Sequence, residues 1–179
     1  AALSLKRNEA VEESHIDQLR SYKPDVIVNT TLSASAAEIS KRMAKRGAFV
    51  PTSSLSFVGA QQFIDAAGDS AAGVSITQVV PNPNSSLPVV RECAKALQEF
   101  GITKPMNSTH LESCIAAKVL TEALRRARKP GDAAAVLASM ASLGSYDTGG
   151  FVVNYSATHR HGSSYVELGM VTRDGKLRG

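Results

Sequence analysis

Hydrophobic positions along the first eighty residues switch between two periods. Val11, Ile16 and Leu19 recur at helical spacing across residues 11–22, and Lys23-Pro24 closes that segment. Residues 25–30 then form a short apolar run, Asp-Val-Ile-Val-Asn-Thr, that turns polar at its end. This is the pattern of a buried parallel strand. Ser35-Ala36-Ala37-Glu38 matches a capping box and predicts a helix over 36–46, with Gly47 placed to end it. A second strand is expected over 54–58, a short helix over 61–67 and a third strand over 73–80. Strands separated by helices in this way build βαβ units in a parallel sheet. Ahead of them, Ala1-Ala2-Leu3 reads as the end of a helix.

The rhythm breaks at residues 81–88, Pro-Asn-Pro-Asn-Ser-Ser-Leu-Pro, which continue neither a strand nor a helix and read as a hinge or linker. Three helices are expected next, over 89–100, 111–128 and 132–143. The middle one opens with the capping-box pattern Thr109-His110-Leu111-Glu112 and repeats apolar residues at Leu111, Ile115, Val119, Leu120 and Leu124. Strand-like runs at 151–155 and 165–172 follow, with a turn at 173–176. The order of βα units, then helices alone, then late strands suggests two regions whose connections cross more than once. The fold class is α/β, a Rossmann-like parallel sheet with flanking helices.

At 179 residues, with 43% hydrophobic and 20% charged residues, the chain is an ordinary globular one that needs no disulfides or metal to fold. No apolar run reaches the ~20 residues of a membrane span. The net charge of +4 raises the question of a nucleic-acid partner. The densest basic run, Arg125-Arg126-Ala127-Arg128-Lys129, sits instead at an expected helix C-terminus, where cations complement the macrodipole. There is no Trp to build a base-stacking platform, so no nucleic acid is expected. Cys93 and Cys114 fall on separate expected helices and match no metal spacing. Packed free thiols are the default reading, and a disulfide between neighbouring helices is the alternative.

Candidate chemistry follows from topology. Ligands of open parallel sheets bind beyond the carboxyl ends of the strands. That rule selects Asn29, Thr30, Thr31, Leu32 and Ser33 after the first strand, Ser56 and Phe57 after the second, and Gln78 after the third. The first group also precedes a helix N-terminus, whose free N–H groups favour carboxylates. Hydroxyls, an amide and one aromatic ring make a binding surface without a nucleophile–base pair. Nucleophile elbows, zincin motifs and Gly-rich phosphate loops are absent from the sequence, so neither an enzyme nor a cofactor is expected. His159 and His161 read as a surface loop rather than a metal site, and His15 and His110 as surface or packing residues.

Several segments in order resemble the branched-chain amino acid (leucine/isoleucine/valine) binding proteins of ABC importers. They are Lys23-Pro24-Asp25-Val26-Ile27-Val28, Ser54-Leu55-Ser56-Phe57-Val58-Gly59, the run Gly68 to Pro81 ending Gln78-Val79-Val80-Pro81, Leu87-Pro88-Val89-Val90-Arg91-Glu92, the stretch Glu112 to Leu124, and Gly162-Ser163-Ser164-Tyr165-Val166-Glu167-Leu168. Members of that family are type I periplasmic binding proteins about twice this length, in which two lobes joined by three crossovers close on a ligand. The resemblance implies that this chain corresponds to the C-terminal half, an incomplete two-lobe fragment lacking the C-terminal lobe's first strand and most of its first helix. It implies a partial C-terminal lobe over 1–80, a hinge crossover at 81–88, a partial, mostly helical N-terminal lobe over 89–155, and a return crossover with the final strand of the C-terminal lobe over 156–179. By position it carries ligand contacts onto Thr31, Leu32, Ser33, Ser56 and Phe57. Relatives that bind aliphatic amino acids place an acidic residue near Ser56 and an aromatic one near Leu32 or Ser33, and this chain has neither. A buried ammonium without a counter-charge is costly, so the departure favours an organic acid, an amide or an aromatic compound.

The function expected is that of a periplasmic or extracellular, lipid-anchored receptor that captures a small polar metabolite between two lobes and delivers it to an ABC transporter permease. A ligand-sensing regulatory domain of the same fold is the alternative. The partners expected are the small-molecule ligand, the permease, and either the missing N-terminal half of the same protein or a second copy.

Overall fold

A computed structural model describes residues 1–6 and 9–179. The chain divides into two compact units, Ala1–Gln78 with Glu167–Gly179, and Val79–Val166.

The first unit holds helices α1 (Glu13–Ser21), α2 (Ser33–Lys45) and α3 (Ala60–Ala67), and a sheet of β1 (Ile27–Asn29), β2 (Thr52–Ser54), β3 (Ser75–Gln78), β6 (Glu167–Val171) and β7 (Leu177–Arg178). The strand order is β1-β2-β3-β6-β7. The first three strands are parallel, as the alternation of strands and helices requires, and β6 and β7 add to them antiparallel. Ala36 and Ala37 of α2, and Phe63, Ile64 and Ala67 of α3, bury against Ile76 of β3 and Val171 of β6. Phe63 is the largest of these fully buried side chains, and its truncation to Ala would cost about 3–5 kcal/mol. Ile16 of α1, Met43 of α2 and Val11 form an adjoining cluster to which Leu5 and Ile27 contribute. Ion pairs tie α1 to α2 outside this core. Arg42 reaches Glu13 at 2.5 Å and Glu38 at 2.6 Å, while Arg46 pairs with both Glu13 and Asp17. The Arg46 guanidinium holds the Glu13 carboxyl below its usual range.

The second unit packs α4 (Pro88–Glu99), α5 (Ser108–Arg126) and α6 (Ala133–Ala141) with a hairpin of β4 (Gly144–Asp147) and β5 (Val152–Tyr155). Its core joins Val89, Val90 and Cys93 of α4 to Leu111, Ile115 and Val119 of α5, with Phe151 and Val153 from the hairpin side. Leu111, Ile115 and Val119 are buried as their spacing predicts, but Ala123 takes the next buried position and Leu120 is exposed. Arg125 and Arg126 close α5, and both pair with Glu122.

Several expectations are corrected. Residues 1–6 are not helical. The expected strand over 54–58 is two elements: β2 ends at Ser54, and Ser56–Val58 forms a turn of 3-10 helix. The α2 helix starts at Ser33 with Leu32 as N-cap, so Ser35 and Glu38 lie inside it and form no capping box. In α5 the cap is Asn107, two residues earlier than the Thr109 pattern suggests. Asn107 accepts from the His110 N–H at 3.0 Å, and the His110 ring accepts from the Asn107 N–H at 3.3 Å. His15 does the same for Glu12 at 3.0 Å, so both lone histidines, at the partly exposed starts of their helices, complete capping boxes. Strand β4 escapes the pattern because Gly-Ser-Tyr-Asp has no apolar alternation. Finally, Cys93 and Cys114 are not free thiols. They form a disulfide between α4 and α5, with Cα atoms 6.0 Å apart, within the span a disulfide allows.

Candidate ligand-binding rim

Three parallel strands each end on a buried polar residue. Asn29 closes β1, Ser54 closes β2 and Gln78 closes β3, and they are 7%, 0% and 6% exposed. Among the described residues only Ser139 and Thr148 share that combination of burial and polarity. Asn29 and Ser54 are register partners, and Ser54 is opposite Ile76, two residues before Gln78. The three side chains therefore share one face at one end of the sheet, since alternate residues of a strand share a face. Among the described residues Ser54 Oγ has no hydrogen-bond partner, whereas Gln78 Nε2 donates to the Thr77 carbonyl at 2.8 Å.

The loops that leave these strands carry the residues selected from the sequence. After β1, the Asn29 side-chain oxygen accepts from both the N–H and the hydroxyl of Thr31, each at 2.8 Å. This side-chain turn leaves Thr30 and Leu32 exposed and brings Thr31 and Ser33, both half-buried, to the start of α2. After β2, Ser56 is half-buried and Phe57 is 53% exposed. Gly59 then turns the chain into α3 with φ +68°, and a Cβ there would sit 2.8 Å from the Gln62 side chain. Thr30, Thr31, Leu32, Ser33, Ser56, Phe57 and Gln78 thus lie at the same end of adjacent parallel strands. A cavity of about 500 Å³ is lined in part by Asn29, Thr30 and Thr31.

Backbone dipoles and one carboxylate, Glu167, contribute to the electrostatics at this end. Neither Leu32 nor Gly59, the N-caps of α2 and α3, supplies a side-chain cap, and neither helix has an acidic residue in its first turn. Both helix starts keep their positive dipole ends uncompensated, a setting that favours anionic or carbonyl oxygens. Sequence reasoning missed Ser54, because it placed that residue at the beginning of a strand rather than the end. It also missed Glu167, which is in register with Gln78 at the start of β6 and adds one half-buried carboxylate to the row.

In the second unit the rings of His159 and His161 are 6.4 Å apart in an exposed loop. Among the described residues no group of three His, Cys, Asp or Glu is placed to hold a metal ion, and no helix is long and apolar enough to cross a membrane.

A parallel sheet with polar strand ends suits many small-molecule binders, and comparison with known families decides among them. The family model described as periplasmic binding protein matches residues 10–176. The chain belongs to the periplasmic binding protein family. A substrate-binding periplasmic protein from Ralstonia solanacearum is 32% identical, with TM-score 0.87 over 96% of this chain and 50% of that one. An extracellular ligand-binding receptor from Verminephrobacter eiseniae is 27% identical, with TM-score 0.82 over 93% and 48%. A possible leucine/isoleucine/valine-binding protein from Rhodopirellula baltica shares the fold at 23% identity, with TM-score 0.86 over 93% and 46%. The chain spans about half the length of these solved structures. No curated protein matches it. The fold is that of type I periplasmic binding proteins.

Proposed function

We propose that this chain is the ligand-contacting part of an ABC importer's receptor, exported to the periplasm or held outside the cell by a lipid anchor. Its ligand is a small polar metabolite, drawn from the organic acids, amides, aromatic acids and amino acids, that it hands to a membrane permease. The contacts come from Thr30, Thr31, Leu32 and Ser33 after β1, Ser56 and Phe57 after β2, and Gln78 at the end of β3, with residues 81–88 as a hinge crossover. The observation that carries this reading is the row of polar strand ends beside two helix N-termini that lack side-chain caps. Hydroxyls and N–H groups there suit a carboxylate or amide oxygen, and Phe57 offers an exposed ring for an aromatic one. The Cys93–Cys114 disulfide supports the compartment, because such bonds persist in oxidising surroundings.

A ligand-sensing domain of the same fold would use the same rim, and a permease that stimulates transport in its presence separates the two. Isothermal titration of the protein against a panel of carboxylic acids, amides and amino acids tests the binding itself. At least one compound should bind the wild type, and binding should weaken by at least about tenfold in a Thr31→Val, Ser56→Ala double variant. Absence of binding across the panel, or binding indifferent to these substitutions, would contradict the proposal.

A further inference from the structure

A cavity of about 340 Å³ lies at the amino ends of the strands whose carboxyl ends form the rim. Its lining includes Ile27 and Thr52, the first residues of β1 and β2, and Val74, just ahead of β3. Ile39 and Met43 of α2 join them, and none of the residues proposed as ligand contacts takes part. The end of α2 supplies a further wall. Gly47, at φ +63°, donates its N–H to the Ala44 carbonyl at 2.9 Å, and the Ala48 N–H donates to the Met43 carbonyl at 3.0 Å. This glycine-ended cap turns the chain back on the helix, so that Ala48, Phe49 and Val50 line the same cavity.

Its walls are largely apolar, with one charged group among them. The side chains of Ile27, Ile39, Met43, Val50 and Val74 offer water no hydrogen bonds, so replacing water there with hydrocarbon is favourable. Thr52 turns its hydroxyl to the Val50 carbonyl at 3.0 Å. That leaves the hydroxyls of Ser40 and Ser70 and the carboxylate of Asp69, the one ionisable group among the described residues of the lining. Asp69 is exposed and makes no ion pair among the described residues. Phe49 is 78% exposed, and its ring lies on Gly73, where a Cβ would meet Cε2 and Cζ at 3.4 Å. An exposed aromatic ring and an unpaired carboxylate in one lining both attract a cation.

We infer that this cavity is a second small-molecule site, for an amine with an apolar body. The ammonium meets the Asp69 carboxylate and the Phe49 ring, and the hydrocarbon lies among Ile39, Met43 and Val50. No lysine or arginine is among the described residues of the lining, so an anion finds no counter-charge there. A neutral compound of the same shape forgoes the attraction of Asp69. The volume falls at the small end of the roughly 300–1,000 Å³ of small-molecule sites, which suits a single ring or a branched chain. The rim selects differently, because its helix starts without side-chain caps favour oxygen anions. The inference is independent of the ligand reading at the rim.

Phenethylammonium chloride is the probe, with 2-phenylethanol and 3-phenylpropionate as its neutral and anionic counterparts. In two-dimensional amide NMR of the 179-residue chain at low salt, phenethylammonium should shift Met43, Gly47 to Val50, Ser70 and Gly73 in a saturable way. It should bind about two- to fivefold more tightly than the alcohol, and phenylpropionate more weakly than either. Asp69→Asn should remove the preference for the ammonium and keep the affinity for the alcohol, a split that loss of structure would not produce. Phe49→Ala, altered at a mostly exposed side chain, should keep the wild-type circular dichroism and weaken ammonium binding by about two- to fivefold. Absence of saturable shifts at these amides would overturn the inference. Shifts centred on Thr30 to Ser33 and Ser56 instead, or equal affinity for the ammonium and the alcohol, would overturn it too.

Discussion

Asn29 and Thr31 are joined by two hydrogen bonds, the Asn29 side-chain oxygen accepting from the Thr31 N–H and from its hydroxyl, each at 2.8 Å. A single buried amide thereby sets the path of the loop between β1 and α2, from which four of the proposed ligand contacts come. Replacing Asn29 with Ala should cost about 1–3 kcal/mol in urea denaturation, because both donors lose their acceptor. Asn29→Asp keeps an acceptor in place and should recover part of that loss at neutral pH.

The Cys93–Cys114 disulfide closes a loop of 21 residues between α4 and α5. Changing both cysteines to Ala should lower stability by about 3 kcal/mol, measured by urea denaturation. The wild-type protein, unfolded without reductant, should take up no iodoacetamide.

Gly149 occupies φ +119°, and a Cβ there would lie 2.9 Å from the Val89 backbone nitrogen. The Val89 N–H donates to the Gly149 carbonyl at 2.9 Å, so neither backbone can withdraw without losing that bond. Gly149→Ala should destabilise the protein by about 1–3 kcal/mol. Gly131→Ala, with open space around the added methyl, should leave stability within about 0.5 kcal/mol in the same denaturation experiment.

Acid sensitivity has a defined contributor on α5. The Arg125 and then the Arg126 guanidinium hold the Glu122 carboxyl down to about 2, from an ordinary value of 4.5. A carboxyl lowered in the folded state stabilises it fully above the unfolded value, and the contribution fades as pH falls from about 4.5 toward 2. The wild type should therefore melt higher than Glu122→Gln at pH 6. The gap should close by pH 2 in thermal melts followed by circular dichroism.

How much of this could be read from the sequence depended on whether the controlling contact was local. The α4, α5 and α6 segments, the run ending at Asn29 and the third strand were legible because apolar spacing reports directly on a buried face. Ser54-Leu55-Ser56-Phe57-Val58 misled, since a β-branched and aromatic run suits a strand, and only the left-handed turn at Gly59 coils it into 3-10 helix. The helix caps at Glu12 and Asn107 depend on histidine rings three residues away, an acceptor that the usual Ser/Thr-to-Glu pattern does not include. Pairing of Cys93 with Cys114 required the approach of two helices, and the alignment of Ser54 with Asn29 required the register of two strands. The rim's loops followed from the strand-end rule, whereas the burial of their anchoring side chains followed only from packing.

The claim at the centre is that the carboxyl ends of β1, β2 and β3 hold the ligand. Two-dimensional amide NMR of the protein, titrated with any compound that binds by calorimetry, tests it most directly. The largest shifts should fall on Thr30 to Ser33, Ser56, Phe57 and Gln78. Shifts confined to residues outside these loops, with the rim unmoved at saturation, would contradict it.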